Sequence, residues 1–431
     1  MPLCVSSMCR GLLFAAIFLI LSLTPLLAAE PTGQSEPEEP EETPLTAGFD
    51  GSHAFIRSRD GAFELTFGGR MQLDYRAYSH EEKADQSGER ATPPNTFLVR
   101  RARLEVDGTL YKDEENPAKD LYFQFKVQAD FADAESTLLR DGYVNVHIRD
   151  DIQVMAGQFK APFSQEELTS SRFINFVERS MLNNLAPSRS PGVMVWGKSG
   201  AGILQYALSL QNDRGELGLN PNPGSGPDLF GRVRLTPFSS GVVQKLSFGG
   251  ALGLGDRDNE TLIIGRTSSR SAVYFARVPL NGHVVRRNLE GAWHFKNIAV
   301  EAEYDGARAE RLGLGEGGAD LPDLEASGFM AQAMFVLTGE DKGDESITPR
   351  RPLHEGGPGA WELGFRYDRF DVDDGVHVSN LAQTYTLGVN WWLNKFMRYQ
   401  SNFVFESFRR PPAGFADSSI FAYLTRMQIY F

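Results

Sequence analysis

The chain is poor in the residues that carry covalent and metal chemistry. Its only two cysteines, Cys4 and Cys9, lie in an N-terminal leader, so the rest of the chain has no disulfide, metal–thiolate or nucleophilic cysteine. Seven histidines are scattered without a metal-ligand spacing, and no cofactor is expected. A basic surplus is missing too: the formal net charge is -13, which excludes nucleic acid as a partner because phosphate backbones need a basic surface. Beyond residue 29 there is no apolar run of about twenty residues, so no membrane-spanning helix is written there. No internal repeat marks the blades of a propeller.

What is present leans towards β structure, with 43 glycines, 30 phenylalanines and 13 tyrosines. Residues 1–29 read as a cleaved secretory signal: Arg10 closes a short basic region, Gly11–Leu27 is apolar, and Leu26-Leu27-Ala28-Ala29 offers a small-residue cleavage site. A single transmembrane helix is the alternative, but the run is short. Residues 30–48 are rich in proline and glutamate and read as a disordered acidic spacer, leaving 49–431 as the folded part.

From Ala62 onward, polar and apolar residues alternate. In Phe63–Tyr78 the odd positions Phe63, Leu65, Phe67, Met71, Leu73 and Tyr75 are apolar, while Glu64, Arg70, Gln72, Asp74 and Arg76 face the other way. About 16 such segments follow one another to the end of the chain. Tight connections such as Asp150-Asp151, Lys296-Asn297 and Asn394-Lys395 alternate with long polar ones, among them Lys160–Pro191 and Gly255–Arg286. Short turns at one end and long loops at the other describe a transmembrane antiparallel β-barrel of the outer-membrane kind. Gly339–Gly359 breaks the rule: it is long, yet it falls among the short turns, which requires either a miscount of strands or an extended turn. A soluble sandwich would need shorter strands. The final strand alternates through Phe421, Tyr423, Met427 and Ile429 to a terminal Phe431, a pattern suited to outer-membrane lipid and to barrel-assembly machinery.

If the apolar parity faces lipid, the polar parity faces a water-filled lumen. Arg70, Arg76, Arg101, Arg103, Lys126, Arg232 and Arg234 then become candidate pore-lining, anion-binding groups, because a guanidinium offers a phosphate or carboxylate two parallel hydrogen bonds. Lumen acids on the same parity, such as Glu105, Asp130 and Glu290, could instead neutralise them pairwise. Arg100 sits on the apolar parity and needs a bulge, a subunit interface or a rim position. Lys160–Pro191 is the best constriction candidate, with Phe163, Phe173, Ile174, Phe176 and Leu182 as anchors and Glu166, Glu167, Arg172, Glu178 and Arg179 as its charges. An outer-membrane phospholipase is the enzymatic alternative, resting on His377-Val378-Ser379 alone.

Gly69-Arg70-Met71-Gln72-Leu73, Arg100-Arg101-Ala102, Ala156-Gly157-Gln158-Phe159, Thr169-Ser170-Ser171-Arg172, Leu337-Thr338-Gly339-Glu340 and Gly359-Ala360-Trp361-Glu362-Leu363 occur in an order that resembles the phosphate-selective porin O and P family. The resemblance runs from about Phe63 to Phe431. It implies a 16-stranded barrel, a homotrimer, and a long third loop folded inward as the constriction. It also implies an arginine ladder, matched here by Arg70, Arg100, Arg101 and Arg232, with Arg234 beside the last. Where such proteins carry lysine before Thr-Ser-Ser this chain has Glu167, and where they carry the later lysine it has Arg172. The lysine-rich stretch after Thr-Gly-Glu is shortened to Asp341-Lys342-Gly343-Asp344. The expectation is a non-enzymatic outer-membrane porin passing small anions, with phosphate or polyphosphate as the finer reading. A broad or weakly cation-preferring porin is the alternative, motivated by the acidic lumen positions.

Overall fold

A strand with one greasy and one wet face must separate two surroundings, and the chain achieves this by closing one sheet on itself. The computed structural model describes residues 45–79, 95–113, 121–132, 139–212 and 226–431, apart from 239, 244, 262, 344, 345, 378, 414 and 416. The expected signal and most of the spacer lie outside these residues. Strand β1 (Leu45–Phe49) takes in the last residues expected of the spacer and forms a hairpin with β2 (Ala54–Ser58).

The barrel proper starts with β3 (Phe63–Tyr78), β4 (Thr96–Leu110), β5 (Tyr122–Asp130), β6 (Leu139–Arg149), β7 (Ile152–Lys160) and β8 (Arg189–Lys198). It continues through β9 (Leu204–Gln211), β10 (Asp228–Leu235) and β11 (Leu246–Thr261). A small separate hairpin of β12 (Gly265–Arg266) and β13 (Val273–Phe275) precedes β14 (Pro279–Phe295) and β15 (Ile298–Arg311). The last strands are β16 (Leu321–Val336), β17 (Ala360–Asp373), β18 (Asn380–Trp392), β19 (Met397–Phe408) and β20 (Ser419–Tyr430). Each barrel strand pairs antiparallel with its neighbours, and β20 pairs with β3 to close a 16-stranded barrel. All 16 segments expected from alternation are barrel strands.

Side-chain exposure follows the alternation. On β3, Met71 and Leu73 are exposed while the alternating Gln72 and Asp74 are fully buried. Aromatic pairs mark two levels on the outer wall: Trp361 stacks on Trp391 at 5.1 Å near the turn end, and Tyr367 meets Tyr385 at 5.1 Å nearer the loop end. Six residues separate Trp361 from Tyr367, about 20 Å along the strand, close to the height of a lipid-facing apolar band. The C-terminus is clasped at the closure: Phe431 exchanges backbone hydrogen bonds of 2.9 and 3.1 Å with Gly69. A Cβ on Gly69 would lie 2.7 Å from the Phe431 ring, so any larger residue there must displace that ring from the clasp.

Of the register shifts in the barrel, those in β4 and β6 bear on the basic wall. In β4, Gln72 pairs with Arg101 and Leu73 with Val99, so Arg100 is the extra residue. The bulge reverses the parity of the strand's first half, which puts Phe97 and Val99 outward and brings Arg100 and Arg101 to the same side. In β6, Gln128 pairs with Asp141 and Ala129 with Leu139, leaving Arg140 as the extra residue.

Several strands run further than alternation indicates. β11 reaches Thr261 and β14 begins at Pro279, so the expected loop Gly255–Arg286 shrinks to the connection between them. Asp256, Arg257 and His283 break the apolar alternation there, but a strand that projects beyond lipid has water on its outer face and needs no apolar parity. The long connection after β16 is an extended turn, and the strand count stands. It enters the barrel: Lys342 is buried, 2.9 Å from Glu362 of β17 and 2.8 Å from Asn175 of the β7–β8 connection.

Candidate solute-binding site

The β7–β8 connection runs along inward-facing side chains of the last five strands. Arg398 of β19 donates to the carbonyls of Ile174 (3.1 Å) and Arg172 (2.9 Å), and Gln428 of β20 also reaches the Arg172 carbonyl. Asn390 donates to the Asn175 carbonyl, Asn402 accepts from Val177, and Asp368 accepts from Met181. Phe176 lies beneath the Arg366 guanidinium at 4.8 Å, and Phe163, Phe176 and Leu182 are buried as their apolar character demands. A short helix, Gln165–Leu168, is capped by Ser164 accepting from the Glu167 amide, and Glu303 of β15 holds its first turn through the Glu166 amide.

A second segment packs beside it. Glu406 of β19 binds the Ser269 amide at 2.9 Å and the Ser271 hydroxyl, so the β12–β13 hairpin is held against the inner wall. Met181, Tyr274, Leu280, Leu324, Phe370 and Ile420 form a buried apolar cluster between these segments and β14–β20. Each such side chain contributes roughly 1.5–3 kcal/mol when fully buried, enough to hold both connections in place. This half of the interior is therefore filled.

The other half is open and basic. One cavity of about 660 Å³ lies between β3–β8 and the β7–β8 connection, and eleven arginines and lysines line it against four carboxylates. A second, of about 670 Å³, adjoins it towards the β12–β13 hairpin, with seven arginines against Glu178 and Glu260. The two share Arg100, Arg101, Arg179 and Arg270.

The expected residues divide by partner. Arg70 donates to Ser171 (2.8 Å) and Ser170 (3.1 Å) and lies 3.7 Å from Glu105. Arg76 pairs with Asp74 at 2.9 Å and with Glu178, and Arg100 reaches Glu178 at 2.8 Å. Arg103 pairs with Asp130 at 2.6 Å, Lys126 with Asp107 at 2.9 Å, Arg172 with Glu105 and Arg232 with Glu290. Arg101 differs: it is buried, donates to Gln72 at 2.8 Å, and has no carboxylate within 4 Å among the described residues. Arg234 resembles it, held by Gln165 (2.9 Å) and Ser247 (2.8 Å).

Within the connection, Glu166 accepts from the Ser180 amide, while Glu167 lies 3.3 Å from Arg179. Arg179 donates to the carbonyls of Glu166 and Thr169, so it braces the segment itself. Glu178 is a hub, reached by Arg76, Arg100, Arg270 and Arg426. Burial works against its charge, but these arginines hold its carboxyl well below the usual range. Arg270, whose side chain is 42% exposed, has its charge supported by Glu178 and opposed by the neighbouring Arg100 and Arg76.

The sequence reading missed Arg140, Arg266, Arg270, Arg277 and Arg286, all on the cavity walls. Arg140-Asp141 carries the same signal as Arg100-Arg101, two adjacent charged residues where alternation allows one. Arg266, Arg270 and Arg277 had none, since only tertiary packing brings their connection inward. The pair His377 and Ser379 is not coupled: His377 binds Asp374 at 2.8 Å, while Ser379 accepts from Arg409 at 2.9 Å.

Comparison with known proteins agrees with this geometry. The family model described as "Phosphate-selective porin O and P" matches residues 65–411. The chain belongs to this family. It is 23% identical over 422 residues to Porin O of Pseudomonas aeruginosa, covering 87% of this chain and 90% of that protein. Among solved structures, the anion-selective porin from Comamonas acidovorans aligns with a TM-score of 0.55 and 15% identity, covering 86% of this chain and all of the other. OmpT of Vibrio cholerae, solved in a trimer form, aligns with a TM-score of 0.57 and 11% identity over 86% of this chain and all of the other. The protein is an outer-membrane porin, a channel and not an enzyme.

Proposed function

We propose that this porin passes small anions by passive diffusion along the basic half of its interior, entering through the cavity beside the β12–β13 hairpin and leaving past Arg70 and Arg103. The supporting observation is the pair of adjoining cavities in which basic residues outnumber acidic ones, with Arg101 at their shared boundary and without a carboxylate partner. At an effective dielectric near 20, a charge about 5 Å from a guanidinium gains roughly 3 kcal/mol. That is enough to replace part of an anion's hydration in steps while leaving each step reversible. The acids that motivate a cation-preferring pore, Glu105, Asp130, Asp141 and Glu167, border the first cavity too, but eleven arginines and lysines outnumber them there.

Phosphate or polyphosphate is the finer reading, since the serine hydroxyls beside Arg70 and the paired Arg100 and Arg101 suit a tetrahedral oxyanion better than a halide. Three barrels associate as a trimer, with the long connections outside the cell and the turns in the periplasm. Reversal potentials across a planar bilayer under a KCl gradient test the anion reading, and a cation-selective sign refutes it. Phosphate added at constant chloride should reduce chloride conductance; unchanged conductance removes the phosphate preference.

A further inference from the structure

Charged side chains also occur where a lipid-facing wall should have none. On β17 the outward parity runs Trp361, Leu363, Phe365, Tyr367 and then Arg369, Asp371, Asp373. The aromatic residues Tyr367, Tyr385, Phe405 and Phe421 form a continuous row across β17–β20, with ring centroids 5.1, 6.5 and 5.9 Å apart. Aromatic rows of this kind sit at the edge of the hydrocarbon layer. Asp371 and Asp373 lie four and six residues beyond Tyr367, about 13 and 20 Å further along the strand, at headgroup depth.

There the outer wall carries a hollow of about 510 Å³, lined by Arg287, Arg308, Glu325, Asp371, Asp373 and Arg409 among others. Arg287 lies across Gly306, its neighbour on β15, where an added Cβ would come within 2.8 Å of Nε. The missing side chain keeps the guanidinium flat against the wall. Among the described residues Arg287 has no carboxylate within 4 Å, whereas Arg308 pairs with Asp323 at 2.7 Å and Arg409 with Asp371 at 3.2 Å. Glu325 and Asp373 are directly opposite each other in the β16–β17 register. Like charges so placed repel, and a divalent cation between them removes the repulsion.

We propose that this hollow seats the phosphorylated headgroup of an outer-leaflet lipid, with Arg287 and Arg409 on the phosphate and a divalent cation bridging it to Glu325 and Asp373. The inference rests on the outer-membrane placement of the barrel, not on its anion selectivity. An unpaired guanidinium beside two facing carboxylates, of which Glu325 also stands opposite Arg308 on β15, complements a phosphate with its metal counterion, and the aromatic row below suits acyl chains. A second barrel pressed against this face is the competing occupant.

Native mass spectrometry of the detergent-solubilised porin, incubated with bis-phosphorylated lipid A and Mg²⁺, reads the outcome directly. Retained lipid is expected on the unmodified protein, at least tenfold less with enzymatically dephosphorylated lipid A, and at least tenfold less on R287A/R409A. Chelation of Mg²⁺, or E325Q/D373N, should weaken retention of the phosphorylated lipid several-fold. Bilayer conductance of these variants should match the unmodified protein, because the substituted residues face away from the basic cavities; a change in reversal potential would bear on the anion reading alone. Equal retention of phosphorylated and dephosphorylated lipid overturns the proposal, and this arm needs no variant to fold. Unchanged retention on R287A/R409A also overturns it, and loss of oligomeric mass in that variant with retention intact assigns the face to contact between copies.

Discussion

Arg101 and Arg234 stand apart from the other inward cations because glutamine and serine, not carboxylates, hold them. A neutral partner orients a guanidinium without cancelling its charge; Arg101 borders both basic cavities and so keeps its full attraction for a passing anion, whereas Arg234 lies outside both. Arg101→Ala should raise the phosphate concentration that half-blocks chloride conductance by about tenfold or more, as expected from losing a charge-assisted hydrogen bond of roughly 1.5–3 kcal/mol. Arg103→Ala, which frees Asp130, should cost anion selectivity as well, through an added negative charge. Noise analysis of single channels separates the two. Glu178 supplies a pH test: its depressed pKa gives a stabilising contribution fully present above its unfolded value near 4.3, lost only as pH falls through the lower folded value. The stability contributed by the Glu178 ion pairs should accordingly be unchanged from pH 7 down to about 5, read as the difference in unfolding temperature between the unmodified protein and Glu178→Gln.

At the level of elements, the extended turn after β16 and the β7–β8 connection are tied through one buried side chain, Lys342. Removing one partner of a buried ion pair costs about 3–5 kcal/mol because the remaining charge is left unpaired. Lys342→Ala should leave the Glu362 carboxylate uncompensated and loosen Asn175, seen as faster current flicker and a lower unfolding temperature. If flicker is unchanged, the turn does not restrain the connection. Alternation made the 16 strands legible because lipid and water on opposite faces impose a strict period of two. It failed wherever that constraint lapses. Beyond the lipid, β11 and β14 continue through charged residues, and at Arg100 and Arg140 an inserted residue shifts the period by one. The parity conflict at Arg100 was visible in the sequence, but its cause was decided by the register of β3 against β4.

For the molecule as a whole, the formal charge of -13 and a basic interior are compatible because an ion responds to the nearby wall. Screening then sets how far this preference survives. Raising KCl from 0.1 to 1 M shortens the Debye length from about 10 to 3 Å, so the anion-to-cation permeability ratio should fall steeply over that range. A ratio independent of salt would mean that selectivity comes from contact geometry, not from the summed field. The sequence by itself determined the barrel, its strand count, the orientation of most wall residues and the family, since each follows from a local period or from ordered motifs. Which half of the interior stays open was decided only by tertiary structure. Two connections and a turn fill the side lined by β14–β20, because their apolar residues and backbone amides find partners there. The arginines of β3–β8 are left facing water, a division that depends on contacts between residues up to 256 positions apart and that no local pattern encodes.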